Sequence, residues 1–394
     1  MSGGRVPEAV DVLVVGAGLA GLHTATLLAG RGHDVLLVDR RPGLTGAIRT
    51  TGIFVRRTLD DFAVPPEHLG PPIRRVVLHP PGLRRPVQLT SGRDEFRVGD
   101  MAPLYAAAAA AAVDAGVRIA LGTRYAGRRR GSSLLVGREG STRVRARFVV
   151  GADGARSRVA RDLGLDRNTH LLIGAEEVFE VPRGQGPPTF HCVLDPSLAP
   201  GYLAWVVDDG RHAHVGVAGY AHRFPDGLRR ALERFGASAP GLAGVERPAE
   251  VERRGGPIPV GGLLRRIGCA DGLLVGDAAG AVSPLTAGGL DPCLRLSVHA
   301  AAVLDEALRT GRPDALAAYD GAALRTRFRG RLLLRHGLAQ VRTPAVATAA
   351  FALLRTPLGQ AAARRVLFGD RSFPSPGVPS RAPAGPSARP ARRA

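Results

Sequence analysis

Lysine is missing from this 394-residue chain, so its formal net charge of +20 is carried by arginine. Alanine, glycine and arginine dominate throughout, a composition that suits a GC-rich genome as readily as an anionic partner. Aromatic residues are scarce at 5%, and the arginines are scattered instead of interleaved with aromatics, which speaks against a nucleic-acid-binding face. Cysteine is scarce as well. Cys192, Cys269 and Cys293 are odd in number and far apart, giving neither a disulfide framework nor a metal ligand set, and a reducing cytoplasm is the expected compartment. Glu8 and Asp11 stand where a basic segment and apolar core would mark a secreted chain. No apolar run reaches the length of a bilayer span, since residues 102–113 stop at Asp114 and residues 346–354 are too few. The chain is not expected to cross a membrane; peripheral contact with an anionic membrane surface stays open.

What is present is enough hydrophobic sequence, 45%, for a sizeable core, and an apolar strand that runs straight into a glycine-spaced turn. Val12 to Val15 lead into Gly16, Ala17, Gly18, Leu19, Ala20 and Gly21. The first glycine permits a tight turn, the second lets backbone approach a pyrophosphate, and the third lets helix pack on strand. A helix is predicted over 19–30, its open amides and dipole facing phosphate. A second strand over 34–38 ends at Asp39, placed to bond an adenosine ribose, with Arg40 beside it. This order of strand, turn, helix, strand and acid opens a dinucleotide-binding unit.

Residues 65–86 are rich in proline and arginine without helical or strand period and read as a surface excursion. An alanine-rich helix is predicted over 101–115 with Asp100 as its cap, followed by a strand over 117–120 that returns to the first sheet. Strand character at 133–136 and 144–150 leads into Gly151-Ala152-Asp153-Gly154, a second motif. A β-rich block follows, with strands predicted over 174–181, 189–194, 202–207 and 212–217, then a helix over 228–235 and a strand over 253–260. The third motif is Gly276-Asp277, again strand into tight turn, continuing through Ser283, Pro284, Leu285, Thr286, Ala287, Gly288 and Gly289 into a helix that reaches Leu308. Amides around Gly288 and Gly289 can stabilise negative charge, and the acid can bond a ribityl or ribose hydroxyl.

The three motifs together resemble the flavoproteins that share the para-hydroxybenzoate hydroxylase fold, over about residues 10–310. The resemblance implies FAD, with Gly16, Ala17, Gly18, Gly21, Asp39 and Arg40 at the ADP half, Asp153 beside the pyrophosphate, and Gly276, Asp277, Pro284, Gly288 and Gly289 at the ribityl and flavin end. Within that group the segment 276–289 looks like the geranylgeranyl reductase family, because aromatic hydroxylases usually carry a histidine where Gly280 stands. Pro200-Gly201-Tyr202-Leu203-Ala204-Trp205 is similar to that family's cavity strand, which makes Tyr202 and Trp205 candidate cavity residues, with packing in the sheet core as the alternative. Two departures stand out. The loop 44–52 has none of the family's cysteine, and Val98-Gly99-Asp100 replaces a flavin-contacting Asp-Arg pair, leaving Arg97 as the substitute.

The fold implied is α/β: a Rossmann-like FAD-binding domain (residues 1–170 and 250–310), an inserted antiparallel β-sheet substrate domain (171–249), a C-terminal helical region (311–370) and a disordered basic tail (371–394). The implied reaction is hydride transfer from reduced FAD, charged by NAD(P)H or another electron donor, to a double bond of an apolar isoprenoid-like substrate. A flavin monooxygenase acting on an aromatic or polyketide-like substrate and a non-redox FAD-dependent cyclase remain as alternatives. No catalytic residue is identified: His170, His191, His212 and His214 lie in or near the β-rich block and could face the cavity, but each reads first as a hydrogen-bonded structural histidine, and Cys293 reads as a small hydrophobe. Oligomeric state is not legible.

Overall fold

Five strands run parallel through one sheet. Ala9–Val15 lies at its centre, Val35–Asp39 and Arg118–Leu121 on one side, Gly140–Gly151 and Gly272–Leu274 on the other. Val12, Leu13 and Val14 are fully buried, so the sheet is covered on both faces at its centre. The helix Leu19–Ala29 connects the first two strands and packs against Met101–Asp114 and Leu290–Thr310. A hairpin of Arg124–Arg129 and Ser132–Gly137 folds back on the long Gly140–Gly151 strand. The computed structural model describes residues 6–369 apart from 47, 183–185, 247 and 249, so the tail expected at 371–394 lies outside the described residues.

Register decides where the motifs emerge. Val15 pairs with Val38 on one side and Gly151 on the other, and Gly151 pairs with Leu274. The four strands therefore end at one level, and the turns that follow them come out side by side at the carboxyl edge, where open α/β sheets bind ligands.

A second sheet of seven strands stands apart, in the order Glu252–Pro259, Leu171–Glu180, His212–Gly219, Ala204–Asp208, Thr189–Val193, Arg75–His79, Val87–Thr90. It draws strands from outside residues 171–249. Residues 65–86 are not a surface excursion: Val76, Val77 and Leu78 are buried in a strand that pairs in parallel with Thr189–Val193. Nor is the sheet wholly antiparallel, since this pair joins segments far apart in the chain. Three consecutive apolar residues covered on both faces show no alternation, and Pro71, Pro72, Pro80 and Pro81 around them mimic loop sequence. Asp100 does precede the Met101–Asp114 helix, but its exposed side chain makes no capping bond. The expected strand over 202–207 starts two residues later, at Ala204, leaving Tyr202 in the turn before it.

The two faces of this sheet differ. Ala204, Val206, Ala213, Val215, Val217 and Phe179 face the helix Gly227–Gly236, which covers them with Ala231, Leu232 and Phe235. Leu172, Tyr202 and Ala218 pack on the other side with Trp205, Ile258, Ala287 of the third motif's loop and Leu338. Leu338 belongs to Arg329–Gln340, the first of three C-terminal helices, followed by Pro344–Leu354 and Pro357–Leu367. Among the described residues no helix is long and apolar enough to cross a membrane.

Gly216 lets Trp205 lie flat across its strand, since a Cβ at Gly216 would sit 2.1 Å from the indole. The substitution Gly216→Ala is expected to destabilise the protein by about 1–3 kcal/mol through this overpacking. Because Trp205 is the chain's single tryptophan, its emission is expected to shift as the ring is displaced. Unfolding and emission spectra that match the parent protein would contradict this packing.

Candidate cofactor and substrate site

The first glycine turn is built for a close guest. Gly16 has φ +108°, and a Cβ there would lie 2.3 Å from the Ala152 carbonyl oxygen; one at Gly21 would lie 1.9 Å from the Gly16 carbonyl oxygen. Both glycines are required by protein contacts. Gly18 differs, with open space where its side chain would be, which is the access a pyrophosphate needs. The Leu19–Ala29 helix starting there has no side-chain cap and no acid in its first turn, leaving amide donors for an anion. A Cβ on Gly276 would meet Ala20 at 2.8 Å, so the third motif packs directly on the first helix.

Each of the three motifs ends on an acid at a strand tip, and the structure gives each acid a different task. Asp39 is saturated. Its Oδ2 accepts from the Ala17 amide at 2.8 Å and from Arg41 Nη2 at 3.0 Å, and its Oδ1 from the Arg41 amide at 2.8 Å and Nε at 3.0 Å. Burial pushes this carboxyl up, but the Arg41 and Ala17 hydrogen bonds outweigh it and hold it below the usual range. Arg41, not the exposed Arg40, is the arginine against Asp39.

Asp153 has its backbone beside Gly16, while its carboxylate turns away to begin the helix Arg158–Asp162. It accepts from Ser157 Oγ at 2.5 Å and from the amides of Arg158 and Val159 at 2.7 and 3.1 Å. Its carboxyl is pushed up by burial, against which these bonds act.

Asp277 is the open one. Its carboxylate takes no hydrogen bond from the described residues, and burial pushes it up to about 6. It lies at the start of Leu290–Thr310: a Cβ on Gly289 would be 3.7 Å from Asp277 Oδ1. Gly288 is exposed, Pro284 is buried, and Ala287 takes φ +52°, an uncommon left-handed conformation for a residue with a side chain. An unpartnered carboxylate beside an uncapped 21-residue helix suits a ligand that brings hydroxyl donors to the acid and negative charge to the amides. These residues fit the ribityl and flavin end of FAD.

Arg97 lies in the strand Phe96–Val98, opposite Phe54 of Ile53–Val55. Phe54 belongs to a core cluster with Ile48, Met101 and Leu104 against which Leu19 and Leu290, the first residues of the two helices, pack, and Arg97 is its cross-strand neighbour. Tyr202 and Trp205 both lie on the second sheet's inner face beside Ala287.

Several residues at the site carried no motif. Tyr105 sits between Asp39, Arg41 and Asp277, its phenol pushed up to about 12 by burial. Asn168, the only asparagine in the chain, donates to the carbonyls of Ala155 and Asp277 at 3.1 and 2.8 Å, stapling the second motif to the third. Arg331 reaches Ser283 Oγ at 2.9 Å from the C-terminal helices. Glu176 and Arg335 are buried, Glu176 on the second sheet's inner face and Arg335 against the Tyr202 ring. The legible signal for Glu176 was an acidic pair, Glu176-Glu177, inside an otherwise apolar strand; the others had none beyond residue type.

Comparison with known proteins agrees with this geometry. Residues 14–64 match a family model described as an NAD(P)-binding Rossmann-like domain, and residues 106–201 one described as an FAD binding domain. The chain is 34% identical over 313 residues to digeranylgeranylglycerophospholipid reductase 1 of Methanopyrus kandleri, covering 76% of this chain and 81% of that protein. A geranylgeranyl bacteriochlorophyll reductase-like protein from Thermoplasma acidophilum superposes with TM-score 0.80 at 21% identity, covering 91% of this chain and 96% of that one. A probable FAD-dependent monooxygenase from Pseudomonas aeruginosa has the same fold, at TM-score 0.63 and 22% identity, covering 87% of this chain and all of its own.

The raised carboxyl at Asp277 has a consequence for stability. Native Asp277 titrates at about 6 against 3.8 for the ordinary group. Between those values the native state holds a proton that the unfolded chain has released, so stability falls as pH rises through the window and the penalty is complete above it. Asp277→Asn is expected to raise the Tm of the FAD-free protein at about pH 8 and to change it little below about pH 4. An equal Tm difference at both ends of the range would rule out burial of this charge as the cause.

Proposed function

Since the chain belongs to the geranylgeranyl reductase family of FAD-dependent oxidoreductases, we propose that it saturates carbon–carbon double bonds of an isoprenoid lipid. The observation that carries this reading is the level ending of four parallel strands, with an unpartnered Asp277 at the head of an uncapped helix. When bound and reduced, FAD supplies a hydride equivalent; NAD(P)H or another electron donor recharges it.

The protein's own residues bind and orient. Gly16, Ala17, Gly18 and Gly21 offer the pyrophosphate a turn without side chains and the amides of Leu19–Ala29. Asp39 is the ribose acceptor; because all its hydrogen bonds are taken by Ala17 and Arg41, ribose binding requires the Arg41 guanidinium to move aside. Asp153 acts through the turn it caps. Asp277 accepts ribityl hydroxyls, while Pro284, Gly288 and Gly289 present backbone to the flavin ring, with Arg97 and Tyr105 along the channel. The substrate chain lies against the apolar inner face bearing Trp205, Tyr202 and Leu172.

One end of that face suits an anion. Arg335 is 3% exposed and stacks between the rings of Tyr202 and Tyr220, each 5.3 Å away, yet none of its guanidinium nitrogens has a hydrogen-bond partner. Burying an uncompensated guanidinium costs several kcal/mol. A phosphate on the lipid would supply the missing acceptors, and arginine matches its geometry. The C-terminal helices also expose Leu333, Leu334, Val346, Leu353 and Leu358 among arginines, which supports peripheral contact with an anionic membrane, where apolar insertion and charge act together.

The test is anaerobic. Purified protein is expected to be yellow, to be bleached by NAD(P)H or dithionite, and to add two hydrogens per double bond to a polyprenyl glycerophospholipid, read by mass spectrometry. Rapid NAD(P)H oxidation coupled to oxygen uptake and hydroxylated product would instead establish the monooxygenase reading. Arg335→Gln is expected to raise KM about 10-fold or more for a phosphate-bearing lipid and to leave KM for the matching polyprenyl alcohol unchanged, the loss of a charge-assisted contact being worth about 1.5–3 kcal/mol. Equal effects on both substrates would remove the phosphate contact.

A further inference from the structure

A row of side chains crosses the inner face of the second sheet. Glu176 stands opposite Gly216, which stands opposite Trp205, with Arg254 on the far side of Glu176. Trp205 reaches over Gly216 and donates its indole N–H to Glu176 Oε1 at 3.0 Å. Thr51, in the loop where the family carries its cysteine, donates its hydroxyl to the same oxygen at 2.7 Å. Glu176 is 3% exposed, and its Oε2 is buried without any hydrogen-bond partner. Arg254 does not neutralise it: that guanidinium is held by Glu252 at 2.8 and 2.9 Å and by the Thr50 carbonyl at 3.1 Å.

A second orphan lies next to the first. His214, two residues before Gly216 on the same strand and the same face, is 3% exposed, and its Nδ1 is buried without a partner, 3.8 Å from Glu176 Oε1. Its Nε2 lies 3.3 Å from Asp209 Oδ2. Burial pushes the Asp209 carboxyl up, but hydrogen bonds from His212 and His214 hold it far below the usual range, so it stays ionised. The Asp209 carboxylate therefore accepts a hydrogen bond from Nε2–H, which leaves Nδ1 facing Glu176. His212 lies 3.6 Å from the same Asp209 oxygen and is 29% exposed at its side chain.

We propose that Glu176 is the proton donor of the reduction, an inference that rests on the reductase reading above. With both donors committed to Oε1, the acid form carries its proton on Oε2, the atom with no protein partner. The balance is complete. Hydride from reduced flavin forms one C–H bond and the Oε2 proton forms the other. The carbon–carbon π bond breaks, the flavin is oxidised, and the glutamate left as carboxylate recovers a proton from solvent. Thr51 and Trp205 are positioning residues. A static buried carboxyl would leave Oε2 and Nδ1 unsatisfied for no return.

Trp205 reports on the carboxyl it binds, so the test has a readout independent of turnover. Emission of the FAD-loaded protein is followed against pH in wild type, Glu176→Gln and His214→Gln, the last removing the imidazole as a second source of change; Arg254, and Arg49 whose side chain lies beside Gly256, are arginines and keep their charge. In parallel, reduced protein is mixed anaerobically with a polyprenyl glycerophospholipid and flavin reoxidation is timed. Glu176→Gln keeps the Oε1 acceptor and the side-chain shape, and Glu176→Asp keeps the acid. The expected result is an emission transition in wild type and His214→Gln that is missing from Glu176→Gln, with reoxidation slowed about 100-fold or more in Glu176→Gln and partly restored in Glu176→Asp. Reoxidation of Glu176→Gln at the wild-type rate, or an emission profile matching wild type, overturns the assignment and leaves the reductase reading standing. A wild type that leaves the chain unsaturated overturns both.

Discussion

Parallel register at the centre of the first sheet is the constraint on which the site depends. Backbone hydrogen bonds tie Val15 to Val38 and to Gly151, and Gly151 to Leu274, so a shift of one residue in any strand would move its turn out of line and flip its side chains. The turns themselves are close enough to exclude side chains. Gly16 touches the Ala152 carbonyl, Gly21 touches Gly16, and Gly276 touches Ala20. Glycine here is a packing requirement at three points and an access requirement only at Gly18. Two helices, Leu19–Ala29 and Leu290–Thr310, begin at this edge, and their uncapped amides supply fixed positive ends without a single lysine in the chain.

Asp39, Asp153 and Asp277 occupy the same place in three motifs, the tip of a parallel strand, and do three different things. Local partners decide. Asp39 is surrounded by donors and stays ionised, Asp153 spends its oxygens on a helix start, and Asp277 has burial without donors and is therefore the acid that a ligand's hydroxyls would satisfy. The most strongly bound carboxylate is the least available, which inverts the order that motif strength alone suggests.

The second sheet applies the same economy to its two faces. One is closed by an amphipathic helix over an apolar cluster, with the buried Glu177 paired to Arg253 beside it. The other mixes apolar residues with polar atoms that lack partners: Glu176 Oε2, His214 Nδ1 and the Arg335 guanidinium. Such orphans are rare in folded proteins because each costs the desolvation of a polar group. These three side chains lie on the side that meets the loop of Ala287, where a guest would satisfy them.

Much of this was legible in the chain itself. Glycine spacing after apolar strands specified the turns, and hydrophobic period specified most helices and strands, because those patterns act through neighbours in sequence. The strand Arg75–His79 was hidden, since a short segment covered on both faces has no period and prolines bracket it. Most candidate residues named from motifs lie at the carboxyl edge or on the inner face; Arg97 stands in a separate two-stranded sheet, and at Arg40 the neighbouring Arg41 takes the contact. What only the tertiary structure decided was which polar groups lose their water and which keep partners: Glu176 meets Thr51, Trp205 and His214, and Arg335 meets Tyr202 and Tyr220, across large separations in the chain. Sequence determines turns because φ and local spacing suffice for them; desolvation and pairing depend on what the fold brings opposite, and no local pattern encodes that.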